Sequence, residues 1–123
     1  MKAVRQAVID IGSNTVRLVV YAGLPRAPLP IYNEKSRVKL GACLAGDGII
    51  DKATMKKALA ALARFETLAR AMKVDTMRVV ATAATREAKN GQELVEKAAA
   101  LGIRVDVLDG DAEATAAGLG ILS

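Results

Sequence analysis

The chain has 123 residues, 52% of them apolar and 25% charged, with a net charge of +5; this allows one domain with a real core and excludes a disordered chain. Aromatics are reduced to Tyr21, Tyr32 and Phe65, which argues against single-stranded nucleic-acid binding, because that needs several stacking rings. The lone Cys43 and the lack of histidine exclude an intramolecular disulfide, a Cys–His nucleophile pair and a His-ligated zinc site.

The charge is unevenly placed: residues 1–73 hold 13 Lys/Arg against 5 Asp/Glu, and residues 74–123 hold 5 against 8. A basic half of this kind attracts a polyanion at long range. A solvated helix face is the plainer reading, since Lys56, Lys57, Arg64, Arg70 and Lys73 fall at helical spacing. Asp10 and Arg17 interrupt the apolar N-terminal stretch, which argues against a signal peptide or membrane span. A reducing, cytoplasmic setting is the expectation.

In chain order, Val4 to Ile11 and Thr15 to Tyr21 read as two strands joined by Gly12-Ser13-Asn14, with Gly and Asn supplying the positive φ angles of a tight hairpin. "GLPRAPLP", from Gly23 to Pro30, is a turn-rich connection, and Ile31 to Leu40 reads as a third, edge strand. "GACLAGDGIID" reads as a glycine-punctuated loop. Met55, Leu59, Leu62, Phe65, Ala69 and Met72 then recur at three- and four-residue steps, the mark of an amphipathic helix, with Asp51 as its N-cap. Met77 to Thr85 is a strand entering a small-residue loop. Asn90 to Leu101 is a second helix closed by Gly102. Ile103 to Leu108 makes a fifth strand and Asp111 to about Leu122 a last helix. The order β-β-β-α-β-α-β-α predicts an α/β fold with a mixed five-stranded sheet: antiparallel strands first, then parallel strands added by crossover helices. The last segment carries no charge after Glu113, and a helix so apolar needs cover on most of its surface.

Three segments could carry chemistry. In "DIGSNT", backbone N–H groups of a hairpin bend, together with Ser13, Asn14 and Thr15 side chains, suit phosphate oxygens, while Gly12 allows close approach. Asp10 cannot bind phosphate but can hold Mg²⁺ through oxygen. An Asx-type turn satisfies the same residues. In "ATAATREAKNG", Arg86 can fork two phosphate oxygens, or it forms a surface patch with Glu87. In "DGDAEAT", Glu113 can deprotonate a water for attack on phosphorus, or Asp111 and Glu113 simply complement a helix dipole. All three lie at the carboxyl ends of strands or in the bend after the first, where an open α/β sheet forms one crevice.

"VIDIGSNTVRLVVY", "ATAATREAKNG" and "VLDGDAEATAAGLGIL", with "KSRVKLGACLAGDGIID" between them, resemble in order and spacing the amino-terminal half of the exopolyphosphatase / guanosine pentaphosphate phosphohydrolase family. The resemblance covers essentially the whole chain. It implies an actin-like, ribonuclease-H-type half-domain, the 1–123 N-terminal subdomain of a phosphatase whose site lies between two halves. The family removes the terminal phosphate of inorganic polyphosphate or guanosine pentaphosphate with Mg²⁺. By motif, Asp10 would be the metal-side carboxylate and Gly12, Ser13, Asn14 and Thr15 the first phosphate loop. Arg86 would bind phosphate, Asn90 would position the substrate or the loop, and Glu113 would activate water. Asp109-Gly110-Asp111-Ala112 departs from the family's usual Ser-Gly and glutamates before that position. The family's second phosphate loop falls shortly after the position of Ser123, so weak or absent turnover is expected of this stretch alone, and a homodimer of the complete protein. A phosphate- or nucleotide-sensing module and a sugar-kinase-like phosphotransferase are the rival readings. No membrane partner is expected.

Overall fold

Residues 4–24 and 26–110 are described by the structure, a computed structural model. The elements are β1 (Val4–Ile11), β2 (Thr15–Gly23), β3 (Leu29–Arg37), α1 (Leu40–Ala45), α2 (Lys52–Ala71), β4 (Thr76–Ala81), α3 (Ala83–Glu87), α4 (Gly91–Ala100) and β5 (Asp106–Val107). The strands form one sheet in the order β3-β2-β1-β4-β5. β1–β2 and β2–β3 pair antiparallel, whereas β1–β4 and β4–β5 pair parallel. The mixed five-stranded sheet expected from the sequence is therefore present.

Period-two patterning decides which face of the sheet is covered. Ala7, Ile9 and Ile11 of β1 and Val16, Leu18 and Val20 of β2 are buried on the same face. α2 lies against β1 and β2 and also packs on α4. Its buried stripe is Met55, Ala58, Ala61, Leu62, Phe65 and Ala69, spaced so that every member faces the sheet. Each fully buried Leu, Ile, Val or Phe contributes roughly 1.5–3 kcal/mol, so this interface, not helix propensity, holds α2. Asp51 caps it as expected, its carboxylate accepting from the Thr54 N–H at 2.7 Å. That bond holds the Asp51 carboxyl below its ordinary range.

Several boundaries differ from expectation. β3 ends at Arg37, three residues early, because Lys39 turns into the left-handed region (φ 61) and starts α1 at Leu40, the last residue read as strand, from where it runs into the stretch read as a loop. Its one and a half turns carry a single buried residue, Leu40, too few for a periodicity to register. The small-residue stretch after β4 likewise forms a short helix, α3, with Ala84 and Thr85 buried. β5 is two residues long, although Ile103, Val105 and Leu108 are buried around it. α4 ends as expected: Gly102 has φ 83, and the Gly102 and Ile103 N–H groups donate to Ala99 O and Ala98 O, the paired bonds of a Schellman close. The expected last helix from Asp111 lies outside the described residues.

Two local devices fix the packing. At the sheet's edge, Arg64 grips Glu34 of β3 through two bonds of 2.8 and 3.1 Å, and the Tyr32 hydroxyl donates to the same carboxylate at 2.8 Å. Arg64 first and Tyr32 second hold the Glu34 carboxyl below its usual value. At the α3–α4 junction, a Cβ on Gly91 would overlap the Thr85 carbonyl and stand 3.0 Å from its carbon, so only glycine permits this close approach.

Gly91→Ala should therefore destabilise the fold by about 2 kcal/mol through overpacking, read as a lower denaturant midpoint at unchanged slope. A depressed carboxyl pKa gives stability that is present above the unfolded-state value and is lost as pH falls through the folded one. Glu34→Gln should thus be less stable than the parent chain at neutral pH, and the difference should shrink as the pH falls below the ordinary carboxylate range and vanish once it passes the depressed value of the folded carboxyl. Thermal unfolding of both chains across pH measures it.

Candidate active site

The bend between β1 and β2 is closed by the Gly12 N–H donating to Thr15 O at 2.9 Å. None of Gly12, Ser13 and Asn14 has positive φ, so the left-handed turn expected from their composition does not form. The bend is shaped by its neighbours instead. Ile11 O accepts from the Thr82 N–H at 3.2 Å and from Thr82 Oγ1 at 3.3 Å. Ser13 O accepts from the Gly41 N–H at 2.7 Å, and Asn14 O accepts from the Val38 and Lys39 N–H groups at 2.9 and 3.0 Å. Three successive elements thus draw the carbonyls toward the protein. Among the described residues, no backbone acceptor takes the Ser13 or Asn14 N–H. A bend whose Ile11, Ser13 and Asn14 carbonyls are engaged, and whose Ser13 and Asn14 N–H groups have no backbone acceptor, can present those two donors to an anion.

Asp10 stands at the carboxyl end of β1, opposite Arg17 on β2 and beside Val80 on β4. It is half-buried, with Oδ1 out of solvent. The carboxyl ends of the three parallel strands lie side by side: Ile11 registers with Ala81 and Ala81 with Val107. Leu108 N–H closes this edge on Ala81 O at 2.9 Å. Arg86 projects from α3 at the same edge and is exposed, its Nη1 donating to Leu108 O at 2.7 Å. The structure thus gathers Asp10, the Gly12–Thr15 bend and Arg86 at one edge of the sheet. Glu113 follows β5 in the chain and lies outside the described residues.

Asn90 is placed behind the bend's edge, at the junction of α3 and α4. Its Oδ1 accepts from the Ile50 N–H at 2.8 Å and its Nδ2 donates to Ile50 O at 3.0 Å, so both ends of the amide hold the loop before α2. The neighbouring Lys89 N–H donates to Gly48 O at 2.8 Å. Of the two roles the resemblance implied, positioning the substrate or the loop, these bonds are of the loop-holding kind. Thr82, not singled out by sequence, braces the bend. Its small side chain looked like strand-end filler, and only the β1–β4 register reveals its partner.

For Mg²⁺, the described residues contain no group of three or more acidic, His or Cys ligands. Magnesium usually takes one or two carboxylates, with waters and substrate phosphates completing its shell. One carboxylate at a strand end beside a donor-rich bend fits that mode. A mostly apolar groove of about 1020 Å³ between α2 and α4 is lined by Met55, Leu59, Ala63 and Leu101 among others. Neither the bend, Asp10 nor Arg86 lines it, so its size does not make it the reaction site.

Sheet order, parallel carboxyl-end edge and bend together define an open α/β half-domain with polar groups gathered at one edge, and comparison with known proteins narrows the class. The sequence profile of the Ppx/GppA phosphatase family matches residues 19–123, and the chain belongs to that family. It is 31% identical over 116 residues to a guanosine-5'-triphosphate,3'-diphosphate pyrophosphatase of Pseudoalteromonas atlantica, covering 94% of this chain and 23% of that protein. It is 30% identical over 111 residues to an uncharacterised protein of Streptomyces coelicolor, covering 89% of this chain and 33% of the relative. Among solved structures, the Ppx/GppA family member of Aquifex aeolicus superposes with a TM-score of 0.82 at 29% identity, over 87% of this chain and 35% of that one. An exopolyphosphatase of Cytophaga hutchinsonii does so with a TM-score of 0.79 at 32% identity, over 87% and 35%. The fold is the actin-like ATPase fold of these phosphatases, and the chain spans a quarter to a third of its relatives' length.

If Asn90 is a brace, Asn90→Ala should lower stability by about 2 kcal/mol, through two lost bonds to a buried backbone. Tripolyphosphate affinity, measured by calorimetry well below the melting temperature, should stay within about twofold.

Proposed function

We propose that this chain supplies the water-activating and first phosphate-binding half of a phosphohydrolase that removes the terminal phosphate of inorganic polyphosphate or guanosine pentaphosphate. The observation that carries the reading is the bend at Gly12–Thr15, whose engaged carbonyls leave Ser13 and Asn14 N–H groups to face an anion. Membership of the Ppx/GppA phosphatase family supports it, as does the likeness to a guanosine-5'-triphosphate,3'-diphosphate pyrophosphatase of Pseudoalteromonas atlantica and an exopolyphosphatase of Cytophaga hutchinsonii.

In this reading the terminal phosphoryl group rests on the Ser13 and Asn14 N–H groups, with the Ser13 and Thr15 hydroxyls as further donors. Arg86 adds a permanent positive charge at the same edge. Donors fixed before the reaction stabilise charge developing on the phosphoryl oxygens without reorganising. Glu113, entering just after β5, takes a proton from water. The water oxygen bonds to phosphorus while the bridging P–O bond breaks, and the leaving oxygen, the end of the shortened chain, takes up a proton. Asp10 would hold Mg²⁺, which when bound neutralises phosphate charge and orients the chain.

The test uses this chain carried in a protein of its relatives' length. Glu113→Gln should cut phosphate release by about 1000-fold while leaving substrate binding nearly unchanged, and Asp10→Asn should weaken the response of affinity to added Mg²⁺. Turnover close to normal in the Glu113 variant, or turnover that requires an acceptor alcohol in place of water, would contradict the proposal.

A further inference from the structure

The helix α2 places Lys57, Ala60, Ala61 and Arg64 on one face by their three- and four-residue steps. Together with Ser36 and Arg37 at the end of β3, these residues line a groove of about 390 Å³ along the sheet's open edge. The groove starts at the site already described: Arg37 registers with Thr15 across β2–β3, and the next two residues, Val38 and Lys39, donate to Asn14 O. From there it descends along β3 to Arg64, two helical turns beyond Lys57, a path of about 10 Å.

Charge within the groove is not balanced. Arg64 is neutralised by its two bonds to Glu34. Arg37 and Lys57 share the groove, and among the described residues neither meets a carboxylate within the 4.0 Å of an ion pair. Two like charges lining one groove with Ala60 and Ala61 between them raise its positive potential, and an anion lying in the groove is attracted to both. Lys39, exposed in its left-handed conformation beside the bend, continues the cationic line to the phosphate-binding edge. No aromatic side chain lines the groove, and the nearby Tyr32 hydroxyl is engaged by Glu34. Nothing there can stack a base, as single-stranded nucleic-acid grooves do.

We infer that this groove is a track for an extended chain of bare phosphates leading away from the bend, which favours long inorganic polyphosphate over a guanosine nucleotide. The inference rests on the phosphatase reading and adds the choice of substrate to it. Arg37 and Lys57 are specificity-determining contacts that act on the distant phosphates, while the bend holds the terminal one.

The experiment measures binding of long-chain inorganic polyphosphate and of tripolyphosphate to the 123-residue chain at several salt concentrations. Arg37→Gln with Lys57→Gln should weaken long-chain binding about tenfold and reduce its salt slope by about 1.4 for two lost contacts, with tripolyphosphate binding unchanged. The charge-preserving pair Arg37→Lys with Lys57→Arg should restore long-chain binding. A control pair with the same charge loss elsewhere, Lys73→Gln with Arg104→Gln, should cost far less. Equal losses in the groove and control pairs, or no loss in either, would overturn the track while intact tripolyphosphate binding leaves the bend's role standing. A single-stranded oligonucleotide of equal charge displacing polyphosphate equally well would also overturn it. Failure of the parent chain to bind even tripolyphosphate would remove the phosphatase reading and the track with it.

Discussion

The direction in which the four peptide groups from Ile11 to Thr15 point is the constraint on which the rest of this structure depends. A bend of this length could present carbonyls or N–H groups to the crevice. Here Thr82, Gly41, Val38 and Lys39 claim the carbonyls of Ile11, Ser13 and Asn14, and the donors remain for a ligand. The donating groups come from the end of β4, the start of α1 and the segment between β3 and α1. The site is therefore a product of the tertiary fold, although its ligand-facing groups are consecutive in the chain.

The supports are themselves supported. α3 and α4 meet closely because residue 91 has no side chain, and Asn90 and Lys89 fasten their junction to the Gly48–Ile50 loop that leads into α2. Arg86, from the same short stretch, ties α3 to the end of β5. A buried backbone group left without a partner costs about 1–3 kcal/mol, so the two bonds from Asn90 to Ile50 matter more than their surface position suggests. The segment Thr82–Gly91 thus divides its work. Thr82 braces the bend, Arg86 carries charge to the strand-end edge, and Asn90 with Gly91 positions the loop and helices behind it.

How much of this was legible in the sequence follows from the range of each interaction. The strands β1 and β2, the Asp51 cap and the Gly102 close are encoded by spacings of two to four residues and appear where the pattern put them; on α2, Met55, Leu62, Phe65 and Ala69 are buried as expected, while Leu59 and Met72 are only partly buried and Ala58 and Ala61 complete the stripe. The edge position of β3 was readable for the same reason. The helices α1 and α3 were not, because five or six small residues with one or two buried positions produce no period. The gathering of Asp10, the bend and Arg86 at one edge could be anticipated from strand order alone. The handedness of the bend and the bracing role of Thr82 could not, since they depend on partners from 24 to 71 residues away, and a loop-positioning role for Asn90 came only with the family resemblance.

The most direct measurement is a titration of the chain with tripolyphosphate followed by amide NMR. The account predicts that the Ser13 and Asn14 N–H resonances move first and furthest, and that Gly12, whose N–H is already spent on Thr15, moves less. Saturable binding that leaves Ser13 and Asn14 unmoved while shifting amides elsewhere would contradict it.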